Sequence, residues 1–274
     1  MLLASNCTVA SAAPPLATLH ADAAPLPTVP QDLPATGERT APGLPHEEYW
    51  FARHLAAYEW CAERMAPEGI VIDAGAGEGY GIDLLPGRRR IAIDYDAATC
   101  AHIHDQYPGV AAIRANLIAL PLPTGCVDAV VTLQVLEHMW EPLAFLREVR
   151  RILTAGGRVL LSTPNRVTFS PGLARGEKPT NPFHCEEYDA QQVYALLDHA
   201  GFSDITVHGL HHGNRLRAWE AERGSIVAAQ VAALTTDDWP EELHAMVSSV
   251  TAADFVHMPD VNSAEDLIAV GVVR

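Results

Sequence analysis

Basic side chains are scarce: 18 Lys and Arg stand against 34 Asp and Glu, a formal charge of −16 over 274 residues. A broad electrostatic grip on nucleic acid, or on an anionic membrane surface, needs the opposite sign, so neither partner is expected. Cysteine is sparse and scattered, with five residues at positions 7, 61, 100, 126 and 185 and no C-x-x-C pair. That argues against a disulfide framework or a zinc knuckle, and makes a reducing cytoplasm the expected location. No stretch reaches the roughly 18 apolar residues that a membrane span requires. The first basic residue is Arg39, so the basic region of a secretory signal is missing, and Asn6 before Cys7 speaks against a lipoprotein signal. No internal repeat is present. What remains is an ordinary globular composition, 49% apolar and 19% charged, long enough to bury a sizeable core.

Residues 1–43 are rich in Ala, Pro and Thr and nearly uncharged, with prolines at 14, 15, 25, 27, 30, 34 and 42. Prolines that dense block helix and sheet alike, so this stretch reads as a disordered tail ahead of one domain over 44–274. Helical spacing begins near His46, with Trp50, Phe51, Leu55 and Tyr58. From Ile70 onward, apolar strand-like runs lie at 70–75, 91–95, 110–115, 127–135, 158–163, 204–210 and 266–274. Helical stretches such as Ala97–Tyr107 and Pro142–Leu153 fall between them, the pattern of a parallel α/β sheet covered on both faces. The last two runs are too far apart for a hairpin, and 214–262 reads as a helical insertion able to cap an acceptor.

The most informative stretch is V-I-D-A-G-A-G-E-G-Y-G, Val71 to Gly81, where a buried strand runs into a glycine-rich turn. Gly75, Gly77 and Gly79 allow a sharp bend and close approach to a ligand. Asp94 ends the second strand and is placed to accept hydrogen bonds from both hydroxyls of a ribose. A dinucleotide G-x-G-x-x-G fails, because Tyr80 or Ile82 stands where the third glycine belongs. No G-K-[ST] follows, which excludes a P-loop.

With these residues the chain resembles the class I S-adenosylmethionine-dependent methyltransferases, from about Tyr49 to Leu210 and again in the final strand. The resemblance implies a Rossmann-like, seven-stranded α/β fold with the helical insertion before its last strand. It implies that Asp73, Gly75, Ala76, Gly77 and Gly79 lie under the methionine part of S-adenosylmethionine, and that Asp94, with Tyr95 beside it, holds the ribose. Asn116 and Leu117 fall near the adenine, where an acidic residue is usual; the amide carbonyl can still accept from the adenine amino group. Leu133 and Gln134 would line the cofactor pocket. The run 146–161 matches the family's helix, Gly-Gly turn and fifth strand, with Gly156-Gly157 read as a helix C-cap.

Methyl transfer to an alcohol benefits from a positioned base, whereas an amine need only be neutral. His138, directly after strand four, stands where similar sugar O-methyltransferases carry their base; the plainer reading is that Glu137 and His138 cap the following helix. The second candidate is His184, in a long loop from Thr163 to Tyr188. Asn165, Arg166 and Asn181 add donors there and Phe169 and Phe183 add flat surfaces, a mixture suited to a polyhydroxylated acceptor. Glu186 and Glu187 read as the start of a helix at Asp189–His199. His208, His211 and His212 fall on a strand where 208 and 212 share a face and 211 opposes them, so no metal ligands are assigned; Mg2+ stays open without named ligands. Trp219 and its neighbours read as packing, although Trp219, Trp239 and Phe255 are also placed to close over an acceptor.

The expected function is O-methylation of a sugar hydroxyl in polysaccharide biosynthesis, with a glycan or small-molecule acceptor. The composition and the run T-P-N-R-V-T-F-S-P-G are similar to those of actinobacterial methyltransferases linked to methylglucose lipopolysaccharide, a polymethylated glucan. A lipophilic acceptor (quinone, polyketide or phenol) is the alternative, and a non-catalytic cofactor-binding module is the third reading.

Overall fold

The computed structural model describes residues 40–274, so most of the expected tail lies outside the described residues. Of its last four positions, Ala41 is buried, and Thr40 Oγ1 lies 3.1 Å from His54 Nδ1 and 3.0 Å from the Tyr80 hydroxyl.

The apolar runs form β1 (Ile70–Ala74), β2 (Arg89–Asp94), β3 (Val110–Arg114), β4 (Val127–Leu133), β5 (Leu153–Pro164), β6 (Ser203–His212) and β8 (Asp266–Val272). An eighth, β7 (Phe255–Met258), lies inside the insertion. Across the sheet the order is β3-β2-β1-β4-β5-β8-β6-β7. The first five strands are parallel, and β8 runs antiparallel between β5 and β6. The chain reverses direction of travel between β1 and β4, and ligands of open α/β sheets bind in the crevice beyond the strand ends at such a point.

Helices cover both faces. α1 (Glu48–Ala62), α2 (Tyr80–Leu84) and α3 (Ala97–Gln106) lie on one side, and α4 (Pro142–Ile152) and α6 (Ala190–Ala200) on the other; α5 (Arg166–Phe169) is a single turn after β5. Strand residues alternate between the two layers: Val71 joins the α1 layer, while Ile72 and Ala74 join the α4 layer. α4 shows why these segments are helical. Phe145, Leu146, Val149 and Ile152 recur on one face and are fully buried, and Pro142 opens the helix where its missing N–H costs nothing. Burying each of those side chains is worth about 1.5–3 kcal/mol.

The insertion carries α7 (Asn214–Arg223), α8 (Ile226–Thr236) and α9 (Glu241–Val247), whose Leu216, Ile226, Leu243 and Val247 join the α1 layer. It is not helical throughout. β7 pairs with the outer edge of β6, from Gly209 against Met258 to His212 against Phe255, and so covers backbone groups that the longer β6 would otherwise present unpaired. The sheet therefore has eight strands where seven are expected.

Gly156-Gly157 does not cap a helix. α4 ends at Ile152, and the glycines lie within the opening of β5, where the β4–β5 register shifts. Gly156 has φ +79°, which favours glycine.

Candidate functional site

The glycine turn leaves β1 at Ala74 and is pinned to β2, since the Gly75 and Ala76 amides both donate to the Ile93 carbonyl at 2.8 and 3.1 Å. Asp94 is held ready rather than free to swing: its carboxylate accepts from the Gly77 amide at 3.1 Å and the Asp96 amide at 2.9 Å. Gly75 and Gly79 have φ of +84° and +83°, and neither has room for a side chain. A Cβ on Gly75 would fall 2.4 Å from Val135 Cγ2, and one on Gly79 would fall 2.8 Å from Ile103. The glycines are thus required by packing of the turn against β4's continuation and α3, in addition to any ligand.

Asp73 lies beneath this turn and is fully buried. One carboxylate oxygen accepts from the Tyr58 hydroxyl at 3.0 Å, while Oδ1 is buried with no hydrogen-bond partner. Burial pushes its carboxyl up to about 7, against the lowering effect of the Tyr58 hydrogen bond; the charge of Asp94 pushes it further up. A buried carboxylate with one unsatisfied oxygen, under a turn without side chains, suits a ligand that brings a cation such as the α-ammonium of S-adenosylmethionine.

The remaining expected cofactor residues lie at or just beyond the ends of β2, β3 and β4, with different degrees of exposure. Tyr95 is exposed and its carbonyl accepts from Arg114 Nε at 2.9 Å. Asn116 is exposed, and its side-chain carbonyl, expected to accept from adenine, already accepts from the Ile118 amide at 3.2 Å. Leu117 and Leu133 are buried. Gln134 follows β4 with φ +55°, and its side-chain amide donates to Ser162 Oγ at 3.0 Å and Asp266 Oδ1 at 3.2 Å while accepting from Arg53 Nη2 at 3.2 Å.

Those contacts expose a part of the site that sequence reasoning missed. Arg53 of α1 and Asp266 of β8 form a two-pronged ion pair, 3% and 1% exposed, directly behind Gln134. Asp266 raises the pKa of the Arg53 guanidinium further, despite burial acting the other way. The guanidinium lies 4.8 Å from the Phe169 ring centre and 5.3 Å from that of Trp50.

His138 and His184 come together. A 3-10 turn, Leu136–His138, follows β4, and the two rings meet edge-on with centres 5.1 Å apart. His138 Nδ1 lies 3.1 Å from the Phe183 carbonyl, which can only accept, so Nδ1 carries a proton and in the neutral ring the lone pair is on Nε2. His184 Nδ1 lies 2.8 Å from the Glu187 carboxylate, and its Nε2 lies 3.1 Å from the Asn181 amide nitrogen. Glu137 does not cap a helix: it is buried, accepts from Thr163 Oγ1 at 2.9 Å, and faces the two histidines. Burial raises its pKa, and the two histidines act to lower it. Its backbone carbonyl accepts from Cys185 N at 2.7 Å, which staples the long loop to the turn.

Other expectations change in detail. The helix after the loop starts with Asp189 as N-cap in a capping box, and Glu187 serves His184 instead. Arg166 donates to Asp189 at 2.6 Å, and Asn165 donates to the Val261 and Ala264 carbonyls, so they tie the loop to α6 and to the segment before β8. His211 contacts the Asp260 carbonyl, His212 contacts the Tyr49 hydroxyl and Glu220, and His208 packs on Trp60. Trp219 and Phe255 are buried in the core beside α1, and Trp239 stacks on His46.

Against known proteins, the methyltransferase domain family matches residues 72–161, the span from within β1 to within β5. A protein of Mycobacterium tuberculosis (strain H37Rv) named as a probable S-adenosylmethionine-dependent methyltransferase is 46% identical over 252 residues, 89% of this chain and 90% of that one. The chain belongs to the S-adenosylmethionine-dependent methyltransferases. A ubiquinone biosynthesis O-methyltransferase of Pseudomonas paraeruginosa is 33% identical to this methyltransferase over 116 residues, 39% of this chain and 50% of that one. In fold, the methyltransferase is similar to a Thermotoga maritima S-adenosylmethionine-dependent methyltransferase described as a possible histamine N-methyltransferase. That likeness has a TM-score of 0.57 at 17% identity and covers 83% of this chain and 94% of that one. S-adenosylmethionine is accordingly the cofactor, and among the described residues no helix is long and apolar enough to cross a membrane.

Proposed function

We propose that this methyltransferase methylates a sugar hydroxyl of a glycan, with His138 as the base. S-adenosylmethionine supplies an electrophilic methyl group and a neutral leaving group. In this reading Asp73 Oδ1 faces the cofactor's ammonium, Gly75, Ala76, Gly77 and Gly79 bring backbone close to it, and Asp94 accepts from the ribose. Tyr95, Asn116, Leu117, Leu133 and Gln134 complete the adenosine side.

The observation that carries the proposal is the Glu137–His138–His184 cluster at the end of β4. The Phe183 carbonyl fixes the His138 tautomer, so Nε2 can accept the hydroxyl proton. The buried Glu137 carboxylate beside it favours the imidazolium that results. His184, held between Glu187 and Asn181, supports that orientation and meets the acceptor. Trp50 and Phe169 flank Arg53, and aromatic rings of this kind can pack against the non-polar side of a sugar ring. The narrower acceptor, a polymethylated glucan precursor, rests on the likeness in sequence, and a cytoplasmic location on the sparse, scattered cysteines.

A lipophilic phenol or quinone is the second reading, favoured by the exposure of Trp140 and Phe183 near His138, 88% and 52%. Incubation with methyl-labelled cofactor against glucans, glycolipids and phenols, followed by linkage analysis, decides between them. Label confined to phenols would refute the sugar reading, and label on nitrogen would refute the need for a base.

A further inference from the structure

We propose that Glu137, His138 and His184 form a binding site for one divalent transition-metal cation of the zinc and cobalt class, and that its occupancy inhibits methyl transfer. The inhibitory half rests on His138 being the base; the binding half does not.

Three observations carry it. First, a carboxylate oxygen of Glu137 and one ring nitrogen from each histidine lie within 4.8 Å of one another. Ligands on a tetrahedral zinc, with bonds of about 2.0–2.2 Å, lie roughly 3.4 Å apart, so modest side-chain rotation closes the set. Second, both histidines have the outer support that metal ligands carry. His138 gives Nδ1–H to the Phe183 carbonyl and His184 gives Nδ1–H to the Glu187 carboxylate, which fixes each ring and directs its lone pair to Nε2. Third, Glu137 brings a buried carboxylate, anchored by the Thr163 hydroxyl, up to the two imidazoles. Two imidazoles and one carboxylate suit zinc, cobalt or manganese, whereas Mg2+ prefers oxygen ligands and retained water.

Binding through His184 Nε2 would displace the Asn181 amide from that nitrogen. It would also coordinate the His138 lone pair. A metal-bound imidazole nitrogen cannot take a proton, so the same atoms serve either the cation or the acceptor hydroxyl.

Chelator-treated full-length protein titrated with ZnCl2, CoCl2 and MgCl2 tests the site without any acceptor. Zn2+ should bind one equivalent by calorimetry, Co2+ should give the intense visible absorption of a low-coordinate nitrogen–oxygen site, and Mg2+ should give neither. His184→Ala should abolish the cobalt spectrum. Glu187→Gln, which alters only the outer support, should weaken zinc affinity about 10–100-fold with the melting temperature kept. In turnover assays Zn2+ should inhibit at the concentration that fills the site, and excess chelator should restore the rate. Absence of heat and absorption up to millimolar Zn2+ and Co2+, or binding unchanged in both His184→Ala and His138→Ala, overturns the site. Saturating Zn2+ that binds yet raises turnover overturns the inhibitory role and His138 as base together.

Discussion

Asp266→Asn isolates the Arg53–Asp266 pair, which joins the first helix of the fold to its last strand. The substitution keeps the shape and one acceptor oxygen but removes the charge opposite a guanidinium that is only 3% exposed. Breaking a buried pair by disabling one partner costs about 3–5 kcal/mol, because the remaining charge is left without compensation. Total stabilities are on the order of 5–15 kcal/mol, so the loss is severe. For a domain of this size it corresponds to a fall in Tm of roughly 6–20 °C. The companion variant Arg53→Met/Asp266→Leu removes both charges and should recover most of that stability, since apolar replacement of a whole buried pair is often neutral or better.

The pair also holds Gln134, whose side-chain amide donates to Asp266 and whose side-chain oxygen accepts from Arg53. Loosening one such contact, worth about 1 kcal/mol, should weaken S-adenosylmethionine binding about fivefold. Urea unfolding followed by circular dichroism gives the stability arm, and calorimetry gives the affinity arm. Asp266→Asn within 1 kcal/mol of wild type would refute the reasoning, because a guanidinium left unpaired that cheaply must have water beside it.

Four further outcomes follow from the same contacts. His138→Ala should bind S-adenosylmethionine normally but lose roughly 10²–10⁴-fold in kcat, and His138→Gln should match it, as measured by steady-state turnover. Asp94→Ala removes the acceptor of the Gly77 and Asp96 amides as well as the expected ribose contacts, and should cost about 2–4 kcal/mol in cofactor affinity by calorimetry. Burial holds Asp73 at about 7, above its unfolded value, so its contribution to apo-protein stability is complete below about pH 4 and declines as pH rises toward 7. Because a cationic ligand favours the ionised form, cofactor binding near pH 6 should release protons, seen as a buffer-dependent heat that Asp73→Asn abolishes. Deleting residues 1–39 should move Tm by no more than a few degrees, whereas extending the deletion through Gly43 removes buried Ala41 and the Thr40 contacts to His54 and Tyr80 and should cost a further 1–2 kcal/mol or so in urea unfolding.

What was legible in the sequence is what is local in it. A buried parallel strand announces itself by a run such as Ile70–Ala74, and the glycine turn and Asp94 are recognisable because strand, turn and next strand end fall within one short segment. β7 escaped notice because four residues, Phe255–Met258, are too few to show alternation and sit among helices. Gly156-Gly157 looked like a helix cap because a helix does end nearby; only the register of β4 against β5 shows the glycines opening a strand.

The rest of the candidate site is harder to read for a topological reason. Inserting β8 between β5 and β6 places Asp266 opposite Pro164, and this brings a residue near the C-terminus to the same rim as Arg53 of the first helix. No spacing in the chain encodes that meeting. Glu137, His138 and His184 lie at an intermediate distance. The two histidines stand out as chemistry-bearing residues and Glu137 reads only as a helix cap, but their convergence depends on the loop after β5 folding back, stapled by the Glu137 carbonyl to the Cys185 amide. The residues proposed to bind the cofactor therefore lie on adjacent strand ends and carry a motif. Those proposed to select and activate the acceptor are assembled across the sheet, where the same backbone frame can accommodate different loops and different acceptors.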